Sequence, residues 1–123
     1  MKSHQVITLL AIFVMFSAYA QAEPSGKLKA RWAKNETMFR MTHQGDKPWN
    51  NCKFSLNPGG FFDEGYTLKV GTISPGQVVQ REFRQLTNSE GQRFNPVTHK
   101  PSEIHIWCEI NAGIIEGSGV MLD

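Results

Sequence analysis

At 123 residues the chain has room for one ordinary domain and not for two. Lys2 is the only one of the 13 basic residues within the first 22, so the rest of the chain carries 12 against 11 acidic groups, a net of +1. That balance argues against phosphate-driven binding of nucleic acid, which depends on a clustered basic face.

The first element in chain order is an export signal. Lys2 precedes an apolar run from Val6 to Phe16 broken only by Thr8, and small residues follow at Ala18, Ala20 and Ala22. A positive start, a short apolar core and an A-x-A ending predict a cleavable signal over 1–22. The apolar run through Ala20 is shorter than the ~20 residues needed to cross a bilayer, so no transmembrane segment is expected in the mature form. Both Ala18-Tyr19-Ala20 and Ala20-Gln21-Ala22 fit a cleavage site, and the cut before Glu23 is preferred. Neither is followed by the cysteine of a lipid anchor. Residues 23–123 are then one mature domain, secreted or periplasmic. A domain of this size buries about two-thirds of its unfolded surface, which leaves a narrow margin of stability.

Short alternating segments separated by turn residues occupy the mature chain, which points to an all-β sandwich. Lys27 to Trp32 alternates charge with Leu28, Ala30 and Trp32, so its basic cluster reads as one solvated strand face. A helix with Leu28 and Trp32 at i, i+4 is the rival local reading. Thr37 to Thr42 is the next strand, with Phe39 and Met41 on one side and Met38 and Arg40 on the other. After the turn Gly45-Asp46-Lys47-Pro48 comes Trp49 to Leu56, where Cys52, Phe54 and Leu56 share a face. Pro58-Gly59-Gly60 breaks the chain before the strand of Tyr66, Leu68 and Val70. Ile73-Ser74-Pro75-Gly76 fits a tight turn in which proline fixes one φ and glycine supplies the next. Val78 to Phe83 resumes extended structure, and Asn88-Ser89-Glu90-Gly91 turns again.

Glu103 to Ile110 alternates most regularly, with Ile104, Ile106, Cys108 and Ile110 facing one way and His105, Trp107 and Glu109 the other. Val120-Met121-Leu122 is a short closing strand, and Gly113 to Gly119 reads as a glycine-rich connection before it. Cys52 and Cys108, the only cysteines, both fall on apolar strand faces, as an inter-strand or inter-sheet staple requires. Export to an oxidising compartment predicts that they pair. The bridge would close a loop of roughly 57 residues, worth about 4 kcal/mol in the chain-entropy model.

A set of residues running from Trp49-Asn50-Asn51-Cys52 through Tyr66, Ile73-Ser74-Pro75-Gly76 and Phe83 continues into Gly91-Gln92-Arg93-Phe94-Asn95-Pro96. It ends with Thr98-His99-Lys100-Pro101 and Ile104-His105-Ile106-Trp107-Cys108. On these residues the chain resembles small exported proteins, mostly bacterial, that look like single β-sandwich domains. The Gly-x-Arg-Phe-Asn-Pro-x-Thr-His-Lys-Pro run is the distinctive part. The resemblance implies fold and export and brings no activity with it.

Chemistry-bearing constellations are sparse. Met38, Met41 and His43 lie close in sequence, His99 and His105 add imidazoles, and thioether with imidazole suits copper(I). Met38 points away from Met41 and His43, however, and no H-x-x-x-H spacing occurs; the plainer reading places Met41 in the core and the histidines at the surface. Hydrolysis has less support. Gly117-Ser118-Gly119 is no nucleophile elbow, and nothing places Ser74, His99 and Asp63 together. Asp63 and Glu64 fall in a turn, and Glu103 and Glu109 lie about 20 Å apart along one strand, too far for a carboxylate pair. The G-x-G-x-x-G dinucleotide signature is missing. Asn35-Glu36-Thr37 matches a glycosylation acceptor, which matters only in a eukaryotic source.

Surface recognition remains, on two patches. In Gly59-Gly60-Phe61-Phe62-Asp63-Glu64, paired aromatics occupy a loop of the kind that rigid sandwiches use for binding, unless one of them folds back to plug the core. His105 and Trp107, with Arg93, His99 and Lys100 nearby, offer an outward aromatic beside basic groups for stacking on a sugar or a peptide aromatic. If that face packs on other structure, Trp107 is ordinary core. The expectation is therefore a monomeric, immunoglobulin-like antiparallel β-sandwich of about seven strands, without cofactor, metal or catalytic machinery. It would act as a binding or structural module for a protein or an envelope component, through Phe61, Phe62, Arg93, His99, Lys100, His105 and Trp107. A periplasmic copper- or zinc-binding protein is the first alternative, and a small secreted hydrolase the second.

Overall fold

Extended structure dominates, as the alternating patterns require. A computed structural model describes residues 20–22, 25–60 and 62–122. The expected signal, apart from the backbone of Ala20–Ala22, lies outside the described residues, and so does Phe61. The strands are β1 Ala20–Ala22, β2 Ser25–Gly26, β3 Ala30–Lys34, β4 Met38–His43, β5 Trp49–Leu56, β6 Tyr66–Ile73, β7 Val78–Glu82, β8 Glu103–Asn111 and β9 Ile114–Met121. All pair antiparallel, in one sheet of order β1-β3-β4-β7 and another of order β2-β9-β8-β5-β6. This is the all-β sandwich expected from the alternation, with seven longer strands and two very short ones.

The inward faces meet in one aromatic core. Trp32 and Phe39 from the four-stranded sheet contact Phe54 of the other edge-on, with ring centroids 6.0 and 4.9 Å apart. Each buried aromatic of this size contributes roughly 1.5–3 kcal/mol by leaving water. The Trp32 indole N–H reaches the buried hydroxyl of Ser118 on β9 at 3.1 Å, so the largest core side chain keeps its hydrogen bond inside. Leu28, Ala30 and Trp32 are buried as the alternation predicts, although regular pairing begins only at Ala30.

Two bulges reset the phase of the alternation. Period two from Cys52 would turn Trp49 outward, yet Trp49 is buried, because Asn51 adopts φ 49° and inserts one residue against both neighbouring strands. On β6 a matching insertion at Gly71, φ 75°, brings Ile73 to the same side as Tyr66, Leu68 and Val70. The following turn forms as expected: Gln77 N–H donates to the Ser74 carbonyl at 3.0 Å across Pro75 and Gly76, whose φ is 82°.

Beyond β7 a single 3₁₀ turn, Phe83–Gln85, is closed by reciprocal bonds between Glu82 and Gln85. The chain then crosses to the second sheet, and Thr87 bridges both Thr67 on β6 and Arg93. Phe94, inside the distinctive motif, is buried between Tyr66 and Phe83, with centroids 5.1 and 6.3 Å away. It anchors an otherwise polar connection.

Cys52 and Cys108 are joined, as the spacing on two apolar faces predicts, and the bridge links adjacent strands β5 and β8 of one sheet. Among the described residues no free cysteine remains, and no helix is long and apolar enough to cross a membrane. The glycine-rich segment corrects one expectation. Most of it is not a connection: Ala112 and Gly113 make a tight turn, and Ile114–Met121 pairs along β8 as a full strand.

Candidate binding face

β8 is a central strand, hydrogen-bonded to β5 on one side and β9 on the other. Its outward residues are Glu103, His105, Trp107 and Glu109. Opposite His105 stand Ser55 and Gly119; opposite Trp107 stand Lys53 and Gly117. Trp107 is 46% exposed. It is not core: it lies on the side of β8 opposite buried Ile106 and Cys108.

The two glycines explain how the rings are held. A methyl group on Gly117 would lie 2.6 Å from Trp107 Cε3 and Cζ3, and one on Gly119 would lie 2.7 Å from His105 Cε1. Both rings therefore lean over β9 and occupy the space its side chains would fill. Their planes are nearly parallel, 11° apart with centroids separated by 6.2 Å, so the pair forms an aromatic shelf across two rows of the sheet. His105 Nε2 is 3.7 Å from Glu103 Oε1.

On the β5 side the shelf is rimmed by polar groups. Lys53 forms an ion pair with Glu64, and the Ser55 hydroxyl donates to the Glu64 carbonyl, so the 57–65 loop is tied to the sheet face. A depression of about 690 Å³ opens beside Trp107, bounded by Lys69, Glu64, Glu109, Asn51 and Ile115. A second concavity joins His105 and Trp107 to Asp63 and Gly60 of the loop.

This arrangement brings some of the expected residues together and separates others. Phe62 sits fully exposed at the tip of the turn in which Asp63 N–H donates to the Gly60 carbonyl at 3.2 Å. It does not plug the core, a place taken at that end by Phe94. Its loop borders the His105–Trp107 shelf, so the two expected patches are one region. Arg93 is elsewhere: it pairs through Thr87, Thr67 and Ser55 to His105, four strand spacings or ~19 Å along the sheet. His99 is exposed beside the Phe94 ring, 6.3 Å between centroids. Lys100 is held through its carbonyl by the Asn57 amide at 3.0 Å, where the chain approaches β8.

The metal and hydrolase constellations do not assemble. His43 is buried rather than at the surface, stacked on Trp49 with centroids 3.6 Å apart. Its Nδ1 accepts from the Gly45 N–H at 3.0 Å, which leaves Nε2 to donate to the Lys47 carbonyl at 2.7 Å. Met41 is core, as expected. Among the described residues, no three of His, Cys, Asp and Glu converge. Ser74 and Asp63 flank opposite ends of the β5–β6 pair, ~23 Å apart by strand rise.

Sequence reasoning missed Gly117 and Gly119 as parts of this face. Their spacing of two matches that of His105 and Trp107, a signal that becomes legible only once β8 and β9 are in register. The chain matches no family model, no curated protein and no solved structure.

Proposed function

We propose that this is an exported, monomeric, non-catalytic binding module that receives a protein or an envelope component on the outer face of its five-stranded sheet. The observation that carries this reading is Trp107, a large aromatic packed over Gly117 and left half in water. Apolar area of that kind is costly to keep exposed and marks contact surfaces. Location outside the cytoplasm is supported by the leader-like start and by the disulfide, which persists in oxidising compartments. The strand order, β3-β4-β7 facing β9-β8-β5-β6, supports the immunoglobulin-like description and agrees with the resemblance to small exported sandwich proteins.

Co-sedimentation of the protein with envelope fragments of the cells that make it tests this reading. Binding is expected to saturate and to be lost in Trp107→Ala, which leaves the core untouched. Equal binding by wild type and Trp107→Ala would remove the face from consideration.

A further inference from the structure

A pyranose ring with equatorial hydroxyls presents a flat patch of C–H bonds. Such a patch packs on an aromatic face by dispersion and by attraction of the C–H dipoles to the π electrons. Such a ligand calls for a fixed, partly exposed ring with polar groups around it to meet the hydroxyls. We propose that the Trp107–His105 shelf receives a neutral glycan of pyranose units, an inference that rests on reading this face as a binding surface.

Three observations favour that ligand. First, the shelf offers more than one ring: His105 lies parallel to Trp107 at 11° with centroids 6.2 Å apart, so a chain of sugars meets a second aromatic ring beside the first. Gly117 and Gly119 keep β9 from rising beside the rings. Second, the rim mixes signs. Lys53 and Lys69 stand among Glu64, Glu103 and Glu109, with Asn51 at the edge of the depression. That set supplies donors and acceptors to hydroxyls without the single-sign field that an anionic lipid or nucleic acid needs. Third, β8 is paired on both sides, so an incoming peptide cannot add to it as a strand and would have to bind through side chains alone.

The test uses protein expressed from the full chain, titrated with chitohexaose and cellohexaose as uncharged probes and heparin as a charged one. Tryptophan fluorescence and calorimetry give the readouts. A neutral oligosaccharide is expected to change the emission of the exposed indole saturably. Trp107→Ala should weaken binding roughly tenfold or more, as for a central aromatic contact. Trp107→Phe should retain part of it, and Val97→Ala, on an exposed residue that does not line either concavity, all of it. Binding of heparin alone would overturn the neutral-glycan inference. So would concentration-dependent dimerisation that Trp107→Ala abolishes, since a second copy would then be the occupant. If no neutral glycan binds while envelope association still depends on Trp107, the glycan inference falls and the binding face stands. If envelope association is indifferent to Trp107→Ala, both fall.

Discussion

Gly117 lies directly across the β8–β9 pair from Trp107, and the indole fills the volume above it. An alanine there would press its methyl against the ring edge and against the Ile106 carbonyl, 3.0 Å away. Overpacking of this kind costs roughly 1–3 kcal/mol, outweighing the small gain alanine usually brings over glycine in a strand. Gly117→Ala is therefore expected to lower the melting temperature and tilt Trp107 off the sheet, with a red-shifted emission. Unchanged stability and emission would show that the ring does not depend on the glycine.

The Trp32–Ser118 bond ties the two sheets together in the core. Ser118→Ala leaves a buried indole N–H without its acceptor, a loss of about 1–3 kcal/mol. Urea unfolding should show a lower midpoint at unchanged slope. A double-mutant cycle with Trp32→Phe should return a coupling near 1 kcal/mol. A coupling near zero would mean that the hydroxyl contributes only by filling space.

Cys52 and Cys108 staple adjacent strands at the floor of the depression beside Trp107. Native protein is expected to show no thiol reactive to alkylation. Reduction or the double change Cys52→Ala, Cys108→Ala should cost about 2–5 kcal/mol, a large share of a small domain's total stability. Thiol titration before and after reduction, with denaturant curves for both forms, measures the effect.

His43 is fixed by three partners at once: Gly45 N–H, the Lys47 carbonyl and the Trp49 ring. His43→Ala removes two hydrogen bonds and opens a gap beneath Trp49, for an expected loss of about 2–4 kcal/mol. Because both nitrogens are engaged, titration with copper(I) or zinc is expected to leave the melting temperature unchanged. Micromolar metal binding that disappears in His43→Ala would restore the metal reading.

Much of the fold was legible because alternation reports directly which side chains share a face. The pattern through Glu103–Ile110 placed Ile104, Ile106 and Cys108 together, and the two inward cysteines implied the staple. Alternation cannot say which face is covered, so the outward set of β8 allowed Trp107 to read as ordinary core, whereas the assembled sheets leave it at the surface. Nor can it anticipate a phase change. Asn51 and Gly71 each insert a residue, which is how Trp49 and Ile73 come to be buried. The segment around Gly117 and Gly119 looked like a linker because glycine is a poor strand former. Its strand is stabilised by rings from β8, a non-local contact that no local pattern carries. Phe94 was hidden for the same reason, a single core anchor inside a run of turn residues.

The three tryptophans allow the central claim to be tested in one titration, since Trp32 and Trp49 are buried and Trp107 is not. In a nitrogen-15 correlation spectrum each indole N–H gives its own signal, and the Trp107 signal is identified by its absence in Trp107→Phe. On adding chitohexaose or cellohexaose, that signal should move progressively to saturation while those of Trp32 and Trp49 hold still. Binding seen calorimetrically with the Trp107 signal unmoved would contradict the account.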